Sequence, residues 1–419
     1  MAASPRDWVC IFSCHARCGT LVFPQVPGCV KLGKFSNRRP KKKMKIRELS
    51  TPTALIDSLR MQRNIGRMQQ RMDALGVAFR PHVKTAKCIP VARAQMAAGA
   101  RGITVSTLKE AEQFFAAGFT DILYAVGMAP HRLKQAAALL ASGCGLKIIA
   151  DSVESAAAIV DFAHAGDAAF EVWIEIDSDG HRAGVRPEGD ELLAIGKLLH
   201  AGGAILGGVM THAGASYALN TPGALEAMAE QERSLCVLAA QRLRVAGLPC
   251  PNVSVGSTPT ALSASHLEGV TEVRAGVYVF FDLVMANVGV CRLDDIALSV
   301  LTTVIGHQSE KGWAIVDAGW MAMSRDRGTQ SQLHDYGYGQ ICDAGGAVLA
   351  GYQMSAANQE HGIVSAVGAA DREIAWRFPI GTQLRVLPNH ACATGAQFAH
   401  YHVVMGDEAG PPWSRFHGW

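Results

Sequence analysis

From about Thr53 onward the chain alternates short apolar runs with longer alanine-rich amphipathic ones, and few architectures accommodate that rhythm. "RGITVST" leads into "LKEAEQFFAAG", "DILYAVG" into "HRLKQAAALLASG", "LKIIADS" into "VESAAAIVDFAHAG", and "EVWIEID" into a Gly-rich turn. "ILGGVMTHAG" is followed by a long helical pattern at about residues 222 to 246, then by "NVSVGST" and "TEVRAG". Strands separated by helices pair in parallel, since a parallel return needs a crossover. Seven or eight such units predict a (β/α)8 barrel rather than an open sheet. After about residue 289 the helices drop out and strands follow one another: "IALSVLTTVIGHQ", "GWAIVDAG", "AVLAGYQM", "TQLRVLPNH". The expected organisation is a leader over 1–47, a barrel over 48–288 and a mostly-β domain over 289–419.

A chain of 419 residues that is 49% hydrophobic and 18% charged can bury one large core or two. Its longest apolar runs, such as "GVYVFFDLVMANVGV", are broken by Asp282 and Asn287 and fall short of the roughly 20 residues a spanning helix needs. No membrane segment is expected. Residues 1–47 carry eleven Lys or Arg against the single acid Asp7, so this segment is +10 and the rest of a +3 chain is −7. An acidic body lacks the basic face that nucleic acid requires. The leader reads as a disordered or over-extended start ahead of Met44, with an organellar presequence or a binding tail as alternatives. Cys10, Cys14, His15 and Cys18 have no partner pair at zinc-finger spacing. The seven cysteines of the body are dispersed through apolar segments, which suits a reduced, cytoplasmic protein rather than a disulfide framework.

Barrel chemistry sits at strand C-termini. Polar clusters fall at those ends in order: His82 to Lys84, Ser106 and Thr107, Asp177 to Arg182, His212 to Tyr217, Gly256 to Thr258. "VGSTPT" puts Gly256, Ser257 and Thr258 at a helix start, where free N–H groups receive a phosphate; an ordinary N-cap followed by proline has the same signature. A lysine at the first strand end together with a phosphate cup at a late one describes a site for pyridoxal phosphate held by a Schiff base. "RPHVKTAKC" offers two lysines, Lys84 and Lys87. Arg182 could instead pair with Asp177 or Asp179, and Tyr217 and Tyr278 could be core aromatics. In "PNHACAT", His390 and Cys392 are two apart, so on an extended strand they would share a face and could hold one ion. Imidazole with thiolate favours zinc; a buried cysteine beside a hydrogen-bonded histidine is the alternative.

"RPHVKT", "DSDGHRAGV", "THAGASY", "VGSTPT", "RAGVYVFFD" and "LPNHACAT", in this order, resemble the alanine-racemase-like pyridoxal phosphate enzymes of the D-serine dehydratase and D-threonine aldolase group. The resemblance covers nearly all of 48–419. It implies that Lys84 is the Schiff-base lysine and that Lys87 lies outside the catalytic position. It also implies that Arg182 contacts the cofactor ring hydroxyl, that His212 and Tyr217 lie at the ring, and that Gly256, Ser257, Thr258 and Tyr278 hold the phosphate. His390 and Cys392 are the implied metal pair, matching the His-x-Cys of the dehydratases rather than the His-x-Asp of the aldolases; zinc leads, with manganese, cobalt or nickel as other candidates. Glu360 and His361 are possible neighbours of that pair. Met210 stands where D-serine dehydratases carry a tyrosine.

The implied reaction is loss of water from a D-3-hydroxy amino acid, giving a 2-oxo acid and ammonia. The first candidate substrate is D-threo-3-hydroxyaspartate, the next D-serine; retro-aldol cleavage and racemisation, the latter through Tyr336 or Tyr338, are the remaining chemistries. Arg325 and Arg327 are candidates for receiving a second substrate carboxylate. A homodimer is implied by the resemblance.

Overall fold

The structure is a computed structural model, and it describes residues 44–166, 168–368 and 373–419. Expectations for the leader up to residue 43 lie outside the described residues. The eight strands Ala78–Pro81, Ile103–Val105, Asp121–Gly127, Gly145–Ala150, Glu171–Ile176, Ile205–Thr211, Asn252–Val255 and Glu272–Ala275 form one parallel sheet. Its two end strands meet through a bridge between His82 and Thr104, with the Val83 N–H donating to Thr104 at 2.9 Å. The closure is narrow, and it sits beside Lys84.

The helices form where the sequence supplies both an apolar stripe and a cap. In Ser58–Ala74, Met61, Ile65, Met68 and Met72 are buried at helical spacing. Asp57 accepts the N–H groups of Leu59 and Arg60 and so closes that helix's first turn. Thr107 caps Leu108–Ala116, and Thr221 followed by Pro222 starts the helix that runs to Val245. Each stripe packs outward from a strand whose two faces are both covered, which is why the strands read as unbroken apolar runs.

The second sheet is antiparallel except where noted, and it differs from expectation at two points. Strands Leu298–Gln308, Trp313–Val316, Gly362–Ala366, Val348–Ala357, Gln340–Asp343 and Gln383–Leu387 pair in that order, and the last returns to the first, Val300 opposite Val386. Thr53–Asp57, which the alternation assigned to the start of the barrel, lies in this sheet instead. It runs antiparallel to Leu298–Gln308 and parallel to His400–Met405. Met44–Lys45 extends the same sheet against Glu408–Ala409, and Ile46 is buried, so the leader expected over 1–47 does not include these residues. The apolar run "TALID" satisfies either location, because periodicity reports burial and not the identity of the neighbour. The described residues form one compact unit.

Candidate active site

The strand C-termini open into a cavity of about 810 Å3. Its wall includes Lys84, Arg182, His212, Tyr217, Gly256, Ser257 and Thr258 from the barrel, and His390 and Cys392 from the β domain. Elements that are distant in sequence therefore converge on one space. Thr85, adjacent to Lys84, places its Oγ1 3.2 Å from the Cys392 Sγ. That contact joins the barrel lysine to the His-x-Cys turn.

The two lysines of "HVKTAK" have separate fates. Lys87 directs its Nζ away from the cavity to Glu110, 2.9 Å away and almost fully buried. Glu110 also accepts from Ser106 and from its own cap Thr107. Lys84 lines the cavity, and among the described residues no hydrogen bond or ion pair engages its amine. Its positive charge reaches His82, His212 and Cys392, opposing protonation of each.

His212 is held neutral. Burial drives its pKa down to about 3, with Lys84, Arg182 and Arg274 acting in the same sense. Its Nδ1 lies 3.0 Å from the Gly256 carbonyl, so that nitrogen carries the proton and donates it. The His82 ring nitrogen Nδ1 is also buried and, among the described residues, has no partner; the ring's affinity for a proton is lowered, first by desolvation and then by Lys84. For protein stripped of cofactor, the His212 shift sets a pH dependence. The unfolded chain binds a proton below about 6.5 that the folded chain refuses until about 3, so stability is complete above 6.5 and falls as pH drops through that window. Thermal melts of wild type and His212→Gln should show a shallower acid-side decline in the variant. Parallel curves would assign the decline to other groups.

Gly256 is required by space and by conformation. It has φ +134°, and a Cβ there would lie 2.1 Å from the Arg274 carbonyl oxygen. Its N–H donates to Glu232, which also takes the Ala213 N–H and so ties two strand-end loops together. Ser257 and Thr260 form a reciprocal cap at the start of Thr258–Ser263, so the ordinary N-cap is present as well. The Tyr217 hydroxyl meets the Thr258 N–H, and burial keeps that phenol protonated. Tyr278 departs from expectation. Its ring packs edge-on against Phe79 and its hydroxyl accepts from Gln95 at 2.8 Å, away from the cavity; only its backbone N–H turns to this region, donating to Thr258 Oγ1. Arg182 lines the cavity; the alternative pairing with Asp177 or Asp179 is not formed, and it lies 3.7 Å from Glu175, a buried carboxyl whose pKa is raised by desolvation.

His390 and Cys392 do not lie on a continuous strand. Gln383–Leu387 ends first, His390 remains extended, and Cys392 belongs to the short helix Ala391–Gly395. The turn is held by Asp282, which accepts the Ala391 N–H at 2.9 Å and the Met285 N–H at 3.0 Å. The His390 Nδ1 lies 2.7 Å from Asp326 Oδ2. Burial opposes ionisation of both ring and thiol, but each charge stabilises the other, so the imidazole pKa is raised and the thiol pKa lowered. Among the described residues no group of three or more His, Cys, Asp or Glu is arranged to hold an ion. Glu360 and His361 do not line the cavity, and neither do Arg325, which stacks on Trp320, or Arg327, which pairs with Asp335 at 2.8 Å.

These residues fit both groups that the sequence implied. A cavity-facing amine, a rim where no side chain fits and an unpartnered buried His82 Nδ1 suit a phosphate-bearing aldehyde cofactor. A thiol primed to ionise beside an imidazole whose other nitrogen faces a carboxylate suits a divalent metal with open positions. The sequence pattern of the alanine racemase N-terminal domain matches residues 56–284, and that of a serine dehydratase domain matches 297–404. The chain belongs to the alanine-racemase-like family.

Within this family it is 68% identical to the D-threo-3-hydroxyaspartate dehydratase of Delftia sp. (strain HT23), over 88% of this chain and 98% of that one. It is 32% identical to a D-serine dehydratase of Dictyostelium discoideum, over 86% and 95% of the two chains. Solved structures of D-threo-3-hydroxyaspartate dehydratase include a histidine-to-alanine mutant and, two positions later, a cysteine-to-alanine mutant in the metal-free form. Both are 66% identical to this chain and cover 90% of it, at TM-scores of 0.89 and 0.88 and over 97% and 100% of their own length. The spacing of those two positions is that of His390 and Cys392. Arg274, Asp282, Asp326 and Glu232 were not singled out from sequence. Only Glu232 left a local trace, as an acid within the buried stripe Leu225, Ala229, Cys236, Ala239 and Leu243.

Proposed function

We propose that this chain is a pyridoxal phosphate- and metal-dependent dehydratase that removes water from D-threo-3-hydroxyaspartate, releasing oxaloacetate and ammonia. One observation carries the reading: the Thr85–Cys392 contact of 3.2 Å sets the His390–Cys392 pair directly beside Lys84 in one cavity. The 68% identity to a relative covered almost end to end supports the choice of substrate. When bound, pyridoxal phosphate supplies an electron sink for charge at the substrate α-carbon, and a divalent metal supplies a Lewis acid for the departing β-oxygen.

The chain's own residues have distinct tasks. Lys84 Nζ anchors the cofactor aldehyde and, once displaced by the substrate amine, takes the α-proton. His390 and Cys392 hold the metal on the side of Lys84 marked by Thr85. Thr258, with Gly256 leaving room, receives the phosphate; His212, neutral and fixed through Nδ1, presents Nε2 as an acceptor, and Tyr217 and Arg182 complete the ring's surroundings. The released enamine tautomerises and hydrolyses in water, so the water lost is regained and the net products are the 2-oxo acid and ammonia. D-Serine remains the second reading, because neither Arg325 nor Arg327 reaches the cavity to receive a second carboxylate. The same reading carries a cytoplasmic homodimer. Leu333, 82% exposed at the cavity wall, supports a covering partner, and light scattering tests it.

Incubation with D-threo-3-hydroxyaspartate, D-serine and D-threonine, with ammonia, aldehyde and chirality assayed separately, tests the reaction. Ammonia with oxaloacetate is expected from the first substrate. Aldehyde release would move the chain to the aldolases, and loss of chirality without ammonia to the racemases.

A further inference from the structure

The segment between the short helix Trp320–Met323 and the strand Gln340–Asp343 has little regular structure, yet one of its side chains is held from several directions. Ser324 adopts φ +71°, a conformation that a residue with a Cβ rarely takes, and it is buried. Its Oγ accepts the Asp326 N–H at 2.9 Å. The Gly328 N–H donates to the Asp326 carboxylate, and Asn389, next to His390, spans from the Asp326 carbonyl at 3.4 Å to the Gly337 carbonyl at 2.7 Å. The Thr329 hydroxyl donates to the Asn389 side-chain Oδ1 at 3.0 Å. The product of this scaffold is one contact outside it, Asp326 Oδ2 to His390 Nδ1 at 2.7 Å.

We infer that Asp326 is the positioning residue of the metal pair, fixing the ring of His390 so that Nε2 carries the free lone pair on the side of Cys392. The inference rests on His390 and Cys392 being metal ligands. On metal binding the His390 ring gives up the proton of one nitrogen, and a carboxylate at Nδ1 decides that Nδ1 keeps its own. The other nitrogen is then an electron-pair donor of raised basicity, in a fixed direction. Ser324, accepting the Asp326 N–H through its Oγ, holds the backbone that carries this carboxylate. Asp282 does the matching work on the backbone side through the Ala391 N–H. The two supports come from different domains. Asp326 belongs to the β domain and Asp282 to the end of the barrel, so the donor pair is oriented only when both are folded together.

The test is Zn2+ affinity of the cofactor-loaded protein after metal stripping, by competition with a chromogenic chelator, with His390→Ala defining background. Asp326→Ala should weaken Zn2+ binding by about 10- to 100-fold relative to wild type, with cofactor absorbance unchanged. Asp326→Asn keeps an oxygen for the Nδ1–H but no charge, and should fall between the two; it carries the test if the alanine variant folds poorly. Excess Zn2+ should restore kcat in both variants, which a merely loosened segment would not allow. Equal Zn2+ affinity in wild type and both variants overturns the role of Asp326 alone. Wild type that binds no more Zn2+ than His390→Ala overturns the metal site and this inference together.

Discussion

Lys84→Ala should reduce ammonia release by about four orders of magnitude or more, the upper range for removal of a general base, because the same amine also anchors the cofactor. The visible absorbance of the bound cofactor should disappear with it. Lys87→Ala should retain both signals and lose stability instead. Its partner Glu110 is almost fully buried, and leaving that carboxylate without its cation costs about 3 kcal/mol, partly offset by the bonds from Ser106 and Thr107. Spectra, turnover and thermal melts on the two variants separate the roles. A normal cofactor spectrum in Lys84→Ala, or a dead but stable Lys87→Ala, would reverse the assignment.

Removing the metal should separate proton abstraction from loss of hydroxide. Water has a pKa of about 15.7, so hydroxide leaves slowly without a Lewis acid. A chelator, or Cys392→Ala, should therefore lower ammonia release from a D-3-hydroxy amino acid by several orders of magnitude and leave the cofactor spectrum in place. Lys84 is untouched by either treatment, so solvent deuterium should still enter the α-position of the substrate, more slowly if the substrate is less well placed. Cys392→Asp should recover part of the activity by returning an anionic ligand. Undiminished ammonia release after verified metal removal would make the pair structural, and a protein acid would then have to protonate the leaving hydroxyl.

The barrel was legible because its signal is local. Each strand and each helix stripe declares its burial through its own spacing, and motifs such as "VGSTPT" carry their cap and their conformational demand within six residues. Lys84 could be chosen over Lys87 by resemblance before any contact was known. The structure supplies a physical reason for the same choice: Lys87 is neutralised by Glu110, whereas Lys84 faces the cavity.

Side-chain direction was less legible than side-chain identity. Tyr278 occupies the expected motif, but its ring turns into the core, and Arg182 meets Glu175 rather than its sequence neighbours. Arg325 and Arg327 bracket Asp326 in the sequence, yet the cavity receives only the acid. Ser324 Oγ holds the Asp326 backbone N–H, and no propensity announces a serine at positive φ.

The sequence by itself determined the order of units, the strand ends at which chemistry could sit, and the residue types able to perform it, since all three depend on spacing along a few turns of chain. Only the tertiary structure decided that Thr53–Asp57 joins the second sheet, and that Cys392 lies against Thr85 across more than three hundred residues. Such pairings follow from which buried faces find each other when the chain collapses. A face records that it must be covered, and the covering element is chosen by the fold as a whole.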